Sequence, residues 1–249
     1  LDGVISADTG GESAASYATL RYFQTLCNRQ SIPFTIVRNK KEYLHEFMER
    51  LGVLPVLPGS RKKLCSVKFK TEPIHEFVNK AFPHDDVMFY IGIEKNETSR
   101  VTRFVKPESD RFTYSYPLRD WGYDRSRCEQ YLADHNLKIS KSACYYCPHA
   151  SLEEIFVAVT DDEIYPKLHA IESRFAKTSR LKHQAWIAAG RPTKSDGTCF
   201  PGHWRVDAYL AGNRLFARSM NGKRLSIEEW RQYAFDHMHD SLTGTLKAS

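Results

Sequence analysis

The chain has 249 residues, 41% of them hydrophobic and 27% charged, with 36 lysines and arginines against 30 acids for a net charge of +6. That length supports one large domain or two small ones with a sizeable core, and no apolar run approaches membrane-spanning length, so no membrane partner is expected. The mild basic excess favours anionic ligands without selecting among them.

In chain order, Leu1 to Asp8 reads as a buried strand running into the turn Thr9-Gly10-Gly11. A helix is expected from Glu12 to Gln30, with Tyr17, Leu20, Tyr22, Phe23 and Leu26 as its apolar face. Ser31 to Arg38 is the next strand, and strand–helix–strand with a short return predicts a parallel βαβ unit. Ligands of such sheets sit beyond the carboxyl ends of the strands, here Asp8-Thr9-Gly10 and Arg38-Asn39. A third strand, Val87 to Glu94, is almost continuously apolar, the pattern of a strand buried on both faces. From Asp124 to Asn136 a short helix carries Cys128. Ser151-Leu-Glu-Glu154 is a capping box that opens a helical stretch reaching Ala189, with a break expected near Pro166. Gly190 to His203 reads as a loop, Asn221-Gly222 as a hairpin turn, and Ser226 to Glu229 as a second capping box with a Leu225–Trp230 staple.

Four cysteines, Cys65, Cys128, Cys144 and Cys147, lie in separate polar and basic blocks, the last two as Cys144-Tyr-Tyr-Cys147-Pro148. Four thiolates can cage a structural zinc or an iron–sulfur cluster. Two plainer readings stay open: Cys144-x-x-Cys147 as a redox dithiol, and the single cysteines as packing residues. Cys27 lies on the helix face and is expected in the core, whereas Cys199 in a loop can be a free thiol. No secretory signal opens the sequence, so its six cysteines are expected as thiols or ligands in a cytoplasmic protein.

Five blocks carry a resemblance. Ala7-Asp-Thr-Gly-Gly-Glu12, Leu64-Cys-Ser-Val-Lys-Phe-Lys-Thr-Glu-Pro-Ile74, and Gly92-Ile-Glu94 with Glu97, Ser99 and Arg100 come first. Tyr116-Pro-Leu-Arg-Asp-Trp-Gly122 with Arg125 and Cys128, then Lys141-Ser-Ala-Cys144 with Cys147-Pro148, follow in order. Together they resemble the phosphoadenosine-phosphosulfate (PAPS) reductase-like proteins of the adenine nucleotide α-hydrolase, or PP-loop, superfamily, in the branch with four cysteines. The resemblance runs from about Asp2 to Ala150. It implies an α/β fold with a Rossmann-like parallel sheet over residues 1–118 and a mainly helical cysteine-cluster and C-terminal region over 119–249. The family's first strand and its Ser-Gly-Gly-x-x-Ser phosphate loop are expected upstream of Asp2.

The resemblance further implies an enzyme that binds ATP or an adenylyl-sulfate, with magnesium, and carries a [4Fe-4S] cluster on Cys65, Cys128, Cys144 and Cys147, zinc being the alternative. Such enzymes cleave ATP in sulfur transfer to a nucleic acid or a small acceptor, or reduce activated sulfate. The adjacent cysteine pair and the Glu-Cys-Gly-x-His segment of the sulfate reductases are not found here. A non-catalytic nucleotide- or nucleic-acid-binding relative is a third class. Asp8, Thr9, Gly10, Arg38, Lys68 and Arg100 are the expected nucleotide contacts, and Asp8 and Arg100 the expected catalytic residues. Four of these have a plainer alternative: Asp8 can cap the first helix, Arg100 can pair with Glu97, and Lys68 and Arg38 can be solvated. His149 can be a rival metal ligand, though a capping or surface role is the commoner one for such a residue. Trp204, Arg205, Tyr209, Arg214, Phe216, Arg218, Lys223 and Arg224 interleave charge and aromatic rings, as a tRNA or DNA surface does and as a packed hairpin also does. A homodimer is compatible with all of this.

Overall fold

The computed structural model describes residues 1–55, 64–101, 111–137, 139, 144–190 and 214–242. These residues form a mixed α/β protein with small parallel sheets. Two compact units divide the chain at different residues from the boundary expected at 118: Leu1–His75 with Ser142–Ser249, and Glu76–Lys141.

In the first unit β1 (Val4–Asp8) and β2 (Phe34–Arg38) pair in parallel, Val4 opposite Phe34 and Asp8 opposite Arg38. Helix α1 (Ala14–Arg29) connects them, so the expected strand–helix–strand unit is present. The buried face of α1 differs from the apolar stripe read in the sequence. Tyr22 and Leu26 are 44% and 38% exposed, while the small residues Ser16 and Cys27 are buried. Helix α2 (Leu44–Leu51) is an addition to the expected elements. Its Leu44, Phe47 and Met48 are buried, the Glu46 carboxylate accepts the Tyr43 N–H at 2.7 Å, and Gly52 ends it with a positive φ of 59°.

A helical run follows: α3 (Leu64–Ser66), a π-helical turn (Val67–Thr71) and α4 (Glu72–Ala81). Widening the turn alters which carbonyls pair within the helix, and the Lys68 carbonyl accepts the Asn39 side-chain amide at 3.4 Å. Helix α8 (Leu152–Thr160) starts on the Ser151–Glu154 capping box, as its sequence dictates. Helix α9 (Tyr165–Ala188) begins beside Pro166, after a break in which Asp161 Oδ1 accepts the N–H groups of Glu163 and Ile164.

The hairpin β5 (Ser219–Met220) and β6 (Lys223–Arg224) turns through Asn221 and Gly222, both with positive φ. Helix α10 (Ile227–Leu242) opens on the second capping box. Phe69, Tyr146, Phe175, Phe216 and Trp230 interlock in the core with Leu44, Met48, Ile155 and Leu168. Glu172 is buried among them, accepting the backbone N–H of Leu215 at 3.1 Å and of Ile227 at 2.9 Å. Its carboxylate thereby ties the segment before the hairpin and the start of α10 to α9.

In the second unit β3 (Val87–Tyr90) and β4 (Phe112–Ser115) pair in parallel, accompanied by α5 (Thr98–Val101), α6 (Pro117–Asp120) and α7 (Arg125–Asp134). Strand β3 is not buried on both faces as its apolar run implies. Phe89 packs on Phe112 and Tyr114, but Met88 and Tyr90 on the other face are 52% and 59% exposed. Two-residue periodicity therefore governs a strand whose composition hides it. Among the described residues no helix is long and apolar enough to cross a membrane.

Candidate functional site

The carboxyl end of β1 runs into a loop whose polar groups are almost all engaged. Asp8 Oδ1 accepts the Gly10 N–H at 2.8 Å and the Tyr17 hydroxyl at 2.9 Å, closing the loop. Burial, then the hydrogen bond to Asp8, raises the Tyr17 phenol pKa, so it stays a donor. Asp8 is therefore a brace across the turn, and the helix cap offered as its alternative role belongs to Ser13, which accepts the Ser16 N–H. Thr9 is fully buried; its carbonyl accepts the Leu44 N–H at 3.1 Å and the Tyr146 hydroxyl at 3.0 Å.

Two aromatic rings lie directly on the glycines. Gly10 has φ +80°, and a Cβ there would fall 2.2 Å from the Tyr43 ring. A Cβ on Gly11 would fall 2.0 Å from Tyr146. The Thr-Gly-Gly run thus combines one turn-making glycine with one whose missing side chain admits a ring.

Against this loop sits the Cys144–Cys147 turn. The Tyr145 N–H donates to the Gly11 carbonyl at 2.9 Å, and Glu12 and Cys144 form an isolated antiparallel bridge. The Glu12 carboxylate is buried, its side chain 4% exposed. One oxygen, Oε1, accepts the Thr9 hydroxyl at 3.1 Å and the Cys144 thiol at 3.1 Å, with Lys70 Nζ at 3.8 Å. Two motif blocks 132 residues apart thus close on one buried carboxylate.

The other expected contacts lie as follows. Arg38, opposite Asp8 in register, is exposed, and its Nη1 donates to the Tyr43 hydroxyl at 2.9 Å. Lys68 rests over the Phe47 ring at 4.1 Å, whereas Lys70 on the same π-turn faces Glu12. Arg100, in the second unit, is paired with Glu97 at 2.7 Å, the plainer of its two roles. Lys141, Ser142 and Ala143, Cys199, and Trp204, Arg205 and Tyr209 lie outside the described residues, as does the rest of the Gly190–His203 loop beyond Gly190; His149 is exposed. Glu12, Tyr43 and Tyr146 are not among the expected site residues. Their signal is a carboxylate straight after the strand-end turn, and rings flanking the glycines and the cysteine pair.

Four thiols are the right donors for zinc or a [4Fe-4S] cluster. Among the described residues no three His, Cys, Asp or Glu side chains group to hold a metal. Burial and the neighbouring Glu12 push the Cys144 thiol up to about 12, and burial followed by Glu94 raises Cys128.

Near the site, Tyr43, His45, Tyr145 and Tyr146 form an aromatic group, with His45 to Tyr146 centroids 6.4 Å apart. Burial lowers the His45 pKa and favours its neutral form. A separate cleft of about 610 Å³ is lined by Glu42, Glu46, Glu49, Arg50 and Arg174, a balance unsuited to polyphosphate. No family model matches the chain, and no curated protein or solved structure matches it either.

Proposed function

We propose that the chain is a PAPS reductase-like, Rossmann-type enzyme that binds an adenine nucleotide at the carboxyl ends of β1 and β2 and cleaves ATP in the course of sulfur transfer. The observation that carries this reading is the closure of the Asp8–Glu12 loop on the Cys144–Cys147 turn. The resemblance needs these blocks to share one site although most of the chain separates them. Parallel strands end there together, Asp8 beside Arg38, where βαβ sheets take their ligands.

In this reading the loop around Thr9 and Gly10 lies along the nucleotide, with its shape set by Asp8 and Tyr17. Arg38 is exposed and donates from one nitrogen to Tyr43, so an anion can meet its planar guanidinium from solvent. Lys68 and Arg100 are further anion contacts of the proposal, and magnesium accompanies the nucleotide. The cysteines belong to the same proposal as donors to a [4Fe-4S] cluster, or to zinc. Cys144 would then exchange its bond to Glu12 for the metal. The acceptor is proposed to be tRNA or DNA held in part by the exposed Arg218. Phe216 is unsuited to base stacking because it is fully buried, and Lys223 pairs with Glu229 at 2.6 Å.

Two measurements on anaerobically purified protein test the reading. MgATP should bind to the wild type, and Arg38→Ala should weaken binding about tenfold, the loss of roughly one charge-assisted contact. Iron and sulfide should be present in near-equal amounts. Absence of MgATP binding removes the nucleotide reading, while stoichiometric zinc, or no metal, removes the cluster.

A further inference from the structure

The strand-end loop carries a buried charge that the nucleotide reading does not use. Glu12 is 8% exposed overall, and burying a carboxylate is costly unless it is paired and hydrogen-bonded. It is both. The Thr9 hydroxyl, the Cys144 thiol and the Lys70 ammonium come from three separate segments and converge on the same oxygen, Oε1. Helix capping does not explain Glu12, since Ser13 does that work. Surface solvation does not explain it either, since its side chain is 4% exposed.

We infer that Glu12 is a positioning residue for the nucleotide loop, holding Thr9 against the Cys144 turn so that Gly10 and Gly11 present a fixed backbone to the ligand. The inference rests on the nucleotide reading above and deepens it by one residue. Thr9 is the pivot. Its hydroxyl donates to Glu12 and accepts from Tyr146 at 3.0 Å, while its carbonyl is taken by Leu44 and Tyr146. Removing the carboxylate takes one partner each from the hydroxyl, the thiol and the ammonium, and leaves Thr9 and Cys144 joined by their 3.2 Å contact and by the Tyr146 hydroxyl on Thr9. A fixed loop matters because a binding surface costs least when its shape needs no reorganisation as the ligand arrives.

The conservative variant separates positioning from bulk. In Glu12→Gln the amide oxygen can still accept from Thr9 and Cys144, while the charge facing Lys70 is lost. In Glu12→Ala every bond is lost. The test measures MgATP affinity and the hydrogen-exchange rate of the Tyr145 amide, which donates to Gly11, in full-length wild type and both variants. Glu12→Ala should weaken MgATP at least tenfold and speed Tyr145 exchange at least tenfold; Glu12→Gln should stay within about threefold on both.

Should Glu12→Ala fail to fold, Thr9→Val severs the same link from the other side and should reproduce its two losses. Unchanged affinity in a folded Glu12→Ala overturns the inference, whether or not exchange speeds up. So does a Gln variant as impaired as Ala. If wild type itself binds no MgATP, the nucleotide reading fails, while unchanged exchange in Glu12→Ala would separately refute the anchoring of the loop.

Discussion

Gly11→Ala is the sharpest perturbation of the strand-end loop, because its cost is steric and local. The new Cβ would lie 2.0 Å from Tyr146 Cε1 and 2.5 Å from its hydroxyl oxygen. Tyr146 is 1% exposed and boxed in by the core, so the ring has no open space to swing into. Overpacking of this kind costs about 1–3 kcal/mol. A shifted ring also weakens the two bonds from its hydroxyl to Thr9, at about 1 kcal/mol each.

Against this, alanine reduces the freedom of the unfolded chain, a gain of about 0.4–1 kcal/mol. The net expectation is a loss of about 2–4 kcal/mol. With a urea dependence of ~2 kcal/mol per molar, the unfolding midpoint followed by tryptophan fluorescence should fall by about 1–2 M. Tyr146→Leu removes the obstacle, so in that background Gly11→Ala should cost at least ~1 kcal/mol less. A midpoint shift below ~0.3 M, or costs that simply add in the double variant, would refute the argument that the second glycine exists to admit the ring.

Glu172→Ala should destabilise the first unit by about 2–4 kcal/mol by leaving the buried N–H groups of Leu215 and Ile227 without their acceptor. Burial raises the Glu172 pKa, against the opposing pull of those two N–H groups. Its contribution is therefore fully present below the unfolded pKa of ~4.3 and is lost as pH rises through the folded value. The alanine variant should cost less at pH 8 than at pH 4, and urea unfolding that shows the cost growing with pH contradicts this. For the proposed nucleic-acid surface, Arg214→Glu with Arg218→Glu should flatten the slope of log affinity against log salt by about 2, each arginine representing about one displaced counterion. MgATP binding should be untouched, and a slope that does not move places the contact elsewhere.

Local chemistry was legible in the sequence wherever it acts over a few residues. The capping boxes at Ser151 and Ser226, the Asn221-Gly222 turn and the β1–α1–β2 unit all form where the residue pattern puts them. Helix α2 carried a readable signal as well: Leu44, Phe47, Met48 and Leu51 at helical spacing, stopped by Gly52. It is harder to see because Tyr43, a poor cap by composition, occupies the cap position. The exposed face of β3 and the shifted face of α1 follow a different logic. Composition reports how apolar a segment is, whereas burial depends on which other segments cover it.

The same division explains the site. The strand-end positions Asp8, Thr9 and Gly10 follow from the turn that ends a parallel strand, and they lie together as such turns require. Glu12 cannot be ranked from its own neighbourhood, since a glutamate beside Ser13 at the start of a helix ordinarily faces water. Its burial is decided 132 residues away, by Cys144 and by the Tyr146 ring that Gly11 admits. The cysteine pair therefore has a role in this fold before any metal is considered. Its backbone and thiol close the loop beneath the proposed nucleotide, and Thr9 and Cys144 share the Glu12 carboxylate. A change at either residue therefore reaches the other by two routes, their direct contact at 3.2 Å and the shared carboxylate.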